Sequence, residues 1–228
     1  LAVVRVGGGR SKFARRERWG VIVDRTGVVV AGGRSTRFGD REKALAEIGE
    51  EPMLRRVVTT LGTVADEVVV NCRPDQRAAF EGALRGVDPT VRFALDDETD
   101  EGPLAGLHTG LAAADTELVV VLGCDMPLAD ADALSTRVER GRATDADAVV
   151  PTMAGGPEPL HAVYRGGPAR EAAAATRGAG QRSLRALLER LRVHGISVGD
   201  TVPAQSVTSV DTRARLRELR AETESGGR

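Results

Sequence analysis

Short apolar runs rich in β-branched residues recur along the chain, and stretches with helical spacing separate them. Three valines, Val28-Val29-Val30, read as a buried strand. Further strands are expected over 67–71, 91–95, 118–122 and 148–150, with helices over 51–61, 76–84, 104–114 and 130–142. The run 118–122 is the most apolar and is expected at the centre of the sheet. In the second half the pattern predicts a strand over 159–165, helices over 169–176 and 183–191, short strands over 193–198 and 206–210, and a closing helix over 212–222. Strands alternating with helices at this spacing give an α/β fold, a mostly parallel sheet covered on both faces. Ligands of such sheets bind beyond the carboxyl ends of the strands. The polar residues that directly follow the apolar runs are Gly32-Gly33, Asn71, Asp96 and Asp125, and these are the expected site.

A chain of 228 residues is long enough for one domain with a sizeable core, expected over 21–228. Residues 1–20 differ in composition. Gly7-Gly8-Gly9-Arg10 and Arg15-Arg16-Glu17-Arg18 suggest a disordered tail or a mis-set start. A net charge of -1 and an aromatic content of 3% argue against nucleic acid as a partner. No apolar run approaches the roughly 18 residues of a membrane span, and a cytoplasmic, membrane-free protein is expected. Cys72 and Cys124 both follow strand-like runs and are expected as buried thiols, not as a disulfide framework.

The chemistry concentrates where the first valine run ends. Gly32-Gly33 lets the backbone turn and lets a ligand approach bare main chain. Free N–H groups in such a turn can donate to phosphate oxygens. Arg34, Arg37 and Lys43 bring positive charge to the same place, Arg37 as a fork and Lys43 as a point charge. The spacing is neither GxxxxGK[ST] nor GxGxxG, because Gly39 is followed by Asp40 and Lys43 comes later. On the glycines alone, a surface loop after a core strand remains the alternative. Asp125, at the exit of the expected central strand, suits a Mg²⁺ ion shared with phosphates, or a cap of the following turn. Asp211 before the closing helix can be a helix cap or a second metal contact. His161 is a lone histidine on an apolar strand, and no zinc-like spacing is present.

Residues 31–45 resemble the signature loop of the MobA-like nucleotidyltransferases, LAGGxSxRxG followed by Lys, with Val30 in place of the leading Leu. Further along, Gly102-Pro103-Leu104-Ala105-Gly106-Leu107 and Cys124-Asp125-Met126-Pro127 resemble the family's GPLAGL and CDMP motifs. Val210-Asp211-Thr212 resembles its segment before the last helix, although Arg213 stands where the family often has Pro. The resemblance implies a Rossmann-like three-layer αβα sandwich of the nucleotide-diphospho-sugar transferase type. It implies transfer of GMP from GTP to molybdopterin or Mo-molybdopterin with Mg²⁺ as cofactor, and molybdoenzyme-maturation proteins as partners. Nucleotide contacts fall to Ala31, Gly32, Gly33, Lys43, Asn71, Asp96 and Asp125, with Asp97 as the rival of Asp96. Arg37, Lys43 and Asp125 would act in catalysis, Asp125 and Asp211 on the metal, and Arg182 and His161 on the acceptor side. Alternatives within the resemblance are a molybdopterin cytidylyltransferase, a cobinamide-phosphate or phospholactate guanylyltransferase, or a nucleotide-binding regulator without turnover. The cytidylyl relatives usually carry AAG where this chain has Ala31-Gly32-Gly33, which favours GTP.

Overall fold

The computed structural model describes residues 5–6, 24–34, 38, 42–97, 102–199 and 202–226. Its strands are β1 (Arg5–Val6), β2 (Arg25–Val30), β3 (Glu47–Ile48), β4 (Glu51–Pro52), β5 (Glu67–Cys72) and β6 (Thr90–Leu95), followed by β7 (Leu118–Gly123), β8 (Ala148–Met153), β9 (Gly156–Pro157), β10 (His161–Arg165) and β11 (Val193–Ser197). The helices are α1 (Met53–Gly62), α2 (Arg77–Ala83), α3 (Pro103–Ala113), α4 (Ala131–Ala143), α5 (Gly166–Gly178), α6 (Leu184–Leu188) and α7 (Arg213–Gly226).

The main sheet runs β1-β6-β5-β2-β7-β10-β8-β11, with β9 paired to β8, while β3 and β4 form a separate ribbon. Strands β6, β5, β2 and β7 are mutually parallel, and β11 lies parallel to β8. Strand β10 is antiparallel to both of its neighbours, a reversal the apolar run alone did not reveal. The valines of β2 alternate between the faces, as the pleat requires. Val29 packs with Leu54, Val57, Val58 and Leu61 of α1 and Leu134 of α4. Val28 and Val30 pack with Leu104, Leu107 and Leu111 of α3 and with Ala169 and Ala173 of α5. The three-layer arrangement follows from these two cores. All six residues of β7 are buried, in keeping with its place in the middle of the sheet.

Helix α1 illustrates the local logic. Pro52 precedes its first turn, and Met53, Leu54, Val57, Val58 and Leu61 form one buried stripe at helical spacing. Each such side chain contributes roughly 1.5–3 kcal/mol when fully buried. A third, smaller cluster joins Phe38, Ile48 and Met53 to Val210, Leu216 and Leu219, so α7 closes over the ribbon and the segment after β2.

Two sequence expectations need correction. Residues 206–210 do not form a strand: Ala204–Val207 is a 3-10 turn, after which Val210 N–H donates to the Asp125 carbonyl at 2.8 Å. The Ser206 N–H turns back to the Pro203 carbonyl, and the segment crosses the end of β7 instead of joining the sheet. The strand expected over 159–165 begins only at His161, because Pro159 and Leu160 lie in a turn; the chain has already reversed in the hairpin between β8 and β9, where Met153 pairs with Gly156. The expected tail, residues 1–20, lies outside the described residues except for Arg5–Val6, which pair antiparallel with Arg92 and Val91 on the sheet edge. Among the described residues, no helix is long and apolar enough to cross a membrane.

Candidate active site

The carboxyl ends of β2, β5, β6 and β7 lie side by side, and the polar residues expected there do converge. The turn after β2 is held from below. Ala31 N–H donates to the Asn71 carbonyl at 3.1 Å. The carbonyls of Gly32 and Gly33 accept from Arg73 Nη1 at 3.1 and 2.9 Å, and the Ala31 carbonyl accepts from Gln76 Nε2 at 3.3 Å. Glu42, just before Lys43, accepts from Arg73 and Gln76, each at 2.7 Å. Arg37 lies outside the described residues.

Lys43 opens a 3-10 turn, Lys43–Leu45, and its side chain is buried. Its ammonium lies 2.9 Å from Asp125 Oδ2 and 2.8 Å from Asp211 Oδ1. Burial would lower the pKa of this ammonium. The charges and hydrogen bonds of Asp125 and Asp211 outweigh that effect and hold it above the ordinary lysine value. Asp125 is carried by the end of the central strand, Asp211 by the segment across it. Asp211 is not the cap of α7: its Oδ2 accepts from Ser209 Oγ, whereas the Thr212 hydroxyl accepts from Arg215 N–H. Glu158, in the turn between β9 and β10, has a pKa raised by burial and by the negative charges of Asp125 and Asp211.

A second group surrounds Asn71. Its Nδ2 donates to Asp96 Oδ1 at 2.7 Å, which settles the amide orientation. Its Oδ1 is buried without a hydrogen-bond partner among the described residues. Asp96, not the exposed Asp97, is therefore the acidic residue joined to the strand ends. Burial raises its pKa against hydrogen bonds from Asn71 and Thr109. Gly32 and Gly106 make room for this pair. A Cβ on Gly32 would overlap the Asp96 carboxylate, and one on Gly106 would overlap Asn71 Oδ1 and come within 3.0 Å of Val30.

His161 is not on an open acceptor face. It is fully buried, with Nδ1 at 2.8 Å from Arg137 Nη2 and Nε2 at 3.2 Å from Ser206 Oγ. Both of its ring nitrogens thus have partners inside the fold, between β10 and the 3-10 turn that carries Ser206. Arg182 is exposed in the loop after α5. Since β10 runs against β7, α5 returns to the carboxyl ends, and Arg177 in its last turn donates to His108 Nδ1 of α3 at 3.1 Å. Arg182 thus lies at the same end of the sheet as the glycine turn. Sequence reasoning missed Glu42, Arg73, Gln76, Thr109 and Glu158. The run Arg73-Pro74-Asp75-Gln76 directly after a strand was the available signal, by the same rule that selected Asn71.

A glycine turn backed by a polar network, a lysine between two aspartates and a carboxylate–amide pair thus lie together at the strand ends of a three-layer α/β sheet. Comparison with known proteins gives the family. A model of the MobA-like NTP transferase domain matches residues 27–195. A probable molybdenum cofactor guanylyltransferase of Natronomonas pharaonis is 41% identical over 200 residues, covering 86% of this chain and 97% of that protein. Another, of Haloferax mediterranei, is 37% identical over 195 residues, covering 86% and 90%. The crystal structure of molybdopterin-guanine dinucleotide biosynthesis protein A from Archaeoglobus fulgidus superposes with a TM-score of 0.70 at 23% identity, over 88% of this chain and 99% of that one, and shares the fold. The chain belongs to the MobA-like NTP transferase family.

Proposed function

We propose that the chain transfers GMP from GTP to molybdopterin or Mo-molybdopterin, forming the guanine dinucleotide and releasing pyrophosphate. The observation that carries this reading is the Lys43 ammonium held between Asp125 and Asp211 beside the glycine turn. A terminal phosphate of the acceptor attacks the α-phosphorus, a P–O bond to it forms, and the bond to the leaving pyrophosphate breaks. The protein needs no nucleophile of its own, so its task is positioning and charge neutralisation. The N–H groups of the turn hold phosphate oxygens, and Lys43 adds a positive charge for the departing pyrophosphate. Arg37 belongs to the same reading through the family loop.

The residues fit a Mg²⁺ ion. Asp125 and Asp211 already share one cation, the Lys43 ammonium, and their oxygens are the donors magnesium prefers. Both would hold the ion, which supplies charge neutralisation at the phosphates. Asp96 supports guanine over cytosine. A carboxylate only accepts, and the guanine edge offers N1–H and N2–H₂ together, whereas cytosine offers one amino group. The unpaired Asn71 Oδ1 suits a further nucleotide donor, since leaving it unpaired costs about 1–3 kcal/mol. The expected cytoplasmic location rests on the lack of an apolar run long enough to span a membrane, and molybdoenzyme-maturation partners rest on the family alone.

The test is incubation of the protein with each NTP, Mg²⁺ and molybdopterin, with mass analysis of the product. The guanine dinucleotide is expected, formed from GTP. A product from CTP in preference would replace this reading with cytidylyl transfer, and nucleotide binding without any product would leave a regulator.

A further inference from the structure

Arg73 has five N–H donors, as every guanidinium does, and all are used. Nη1 donates to the Gly32 and Gly33 carbonyls at 3.1 and 2.9 Å. Nη2 donates to Glu42 at 2.7 Å and to Asp75 Oδ2 at 3.1 Å, and Nε donates to Asp75 Oδ1 at 3.1 Å. The side chain is 7% exposed. Gln76, also buried, completes the cradle by binding the Ala31 carbonyl and Glu42, while its Oε1 accepts from Arg73 N–H at 2.9 Å.

Three successive carbonyls, of residues 31, 32 and 33, are therefore drawn to one side. A trans peptide sets the N–H of the next residue opposite each carbonyl. Pinning these three carbonyls aims the N–H groups of Gly32, Gly33 and Arg34 to the other side. Were the peptides to turn over, carbonyl oxygens would face the phosphates and repel them. We propose that Arg73, with Gln76, is the positioning residue that keeps the glycine turn in its anion-binding orientation. It acts through the backbone and not on the nucleotide, because no donor of its guanidinium is left over.

This inference rests on the nucleotidyl-transfer reading and concerns its phosphate side only. The test compares wild type, Arg73→Gln, Arg73→Lys and Gln76→Leu by calorimetric titration with Mg-pyrophosphate and, separately, with guanosine. Steady-state kinetics with GTP and thermal denaturation accompany the titrations. Loss of charged hydrogen bonds to the turn should weaken pyrophosphate binding by about tenfold or more in Arg73→Gln. Guanosine binding should stay within about twofold, and KM for GTP should rise far more than kcat falls, the mark of phosphate binding lost equally from ground and transition states. Arg73→Lys should lie between, and added guanidinium ion should restore part of the loss in Arg73→Gln. Wild-type pyrophosphate affinity in Arg73→Gln overturns the inference, as does an equal fall for pyrophosphate and guanosine with a lowered melting point. If Arg73→Gln does not fold, Arg73→Lys and Gln76→Leu carry the same comparison. In either case, wild-type turnover with GTP leaves the nucleotidyl-transfer reading standing. Wild type that binds neither pyrophosphate nor GTP overturns both.

Discussion

His161 shows how a side chain can be conspicuous in a sequence for one reason and used in the structure for another. Arg137 is fully buried and can only donate, so His161 Nδ1 accepts and Nε2 carries the proton toward Ser206. Burial, and then the Arg137 charge, press the His161 pKa down to about 3. An unfolded histidine titrates near 6.5, so between about pH 6.5 and pH 3 the unfolded chain binds the extra proton. The stabilisation is complete above the unfolded value and is lost as pH falls below it, by up to about 1.4 kcal/mol per pH unit. Denaturant midpoints at pH 5, 6 and 7 should therefore fall with pH in wild type. His108 is shifted in the same direction by burial, so the comparison is with His161→Gln, whose amide can accept from Arg137 and donate to Ser206. That variant should show a distinctly shallower slope, and an unchanged slope would remove His161 from the account. At the same scale, Asp125→Asn should cut pyrophosphate release by about a hundredfold or more while the protein remains folded, since Lys43 keeps Asp211 as a partner. Near-normal release would end the metal assignment. Lys43, Asn71 and Asp125 could be chosen from the sequence because each stands within or just beyond a recognisable loop or strand. The place of Arg73 just past β5 could have flagged it, but only the fold shows that its donors meet main-chain carbonyls forty residues away.

Elements were legible where their apolar periodicity was strong. The valine runs became β2, β5 and β7, and the helices between them follow the stripes that the sheet buries. Periodicity says nothing about direction, so the reversal that sets β10 against β7 and β8 had to come from the tight hairpin between β8 and β9, where Met153 pairs with Gly156. Nor could it separate the 3-10 turn at Ala204–Val207 from a short strand, since Val207 and Val210 are both buried, but against different neighbours. Helix α3 offers a test of close packing. Its Gly106 faces Asn71 and Val30, so alanine there must push the helix off the strand ends. Overpacking of this kind costs about 1–3 kcal/mol, more than the 0.5–1 kcal/mol or so that alanine gains over glycine inside a helix. Gly82 in α2 has open space around its Cβ position. Gly106→Ala should thus lower the denaturation free energy and Gly82→Ala should raise it, measured side by side. Stabilisation of both would show that α3 has slack against the sheet, and that the Asn71–Asp96 pair is less tightly confined than the packing indicates.

At the scale of the molecule, the site is closed by a part of the chain remote from the motifs that define it. The family model ends at residue 195, yet Asp211 reaches Lys43 from 168 positions away. Val210 N–H fastens that limb to the Asp125 carbonyl, and Arg213, at the position where the family pattern often has Pro, donates to the Phe38 carbonyl at 2.7 Å. Leu216 and Leu219 then cover Phe38, Ile48 and Met53. The sequence showed Asp211 only as a candidate, because no local spacing encodes a contact between the first and last thirds of a chain. The limb thus has two separable roles, an apolar seal and a carboxylate. Leu216→Ala removes part of the seal and should lower stability by about 2–3 kcal/mol, toward the low end for buried leucines because the cluster is small. Its kcat at a temperature where it is folded should remain close to wild type. Asp211→Asn keeps the seal and should leave the melting point nearly unchanged, but it leaves Asp125 as the remaining carboxylate bonded to Lys43 and should lower kcat/KM for GTP by about tenfold or more. A chain cut after residue 202 loses both roles and should show the two defects together. If the shortened chain transfers GMP at the wild-type rate, the carboxylate of Asp211 plays no part in the reaction. If Asp211→Asn instead unfolds the protein while Leu216→Ala does not, the ion pair rather than the apolar seal holds the limb in place.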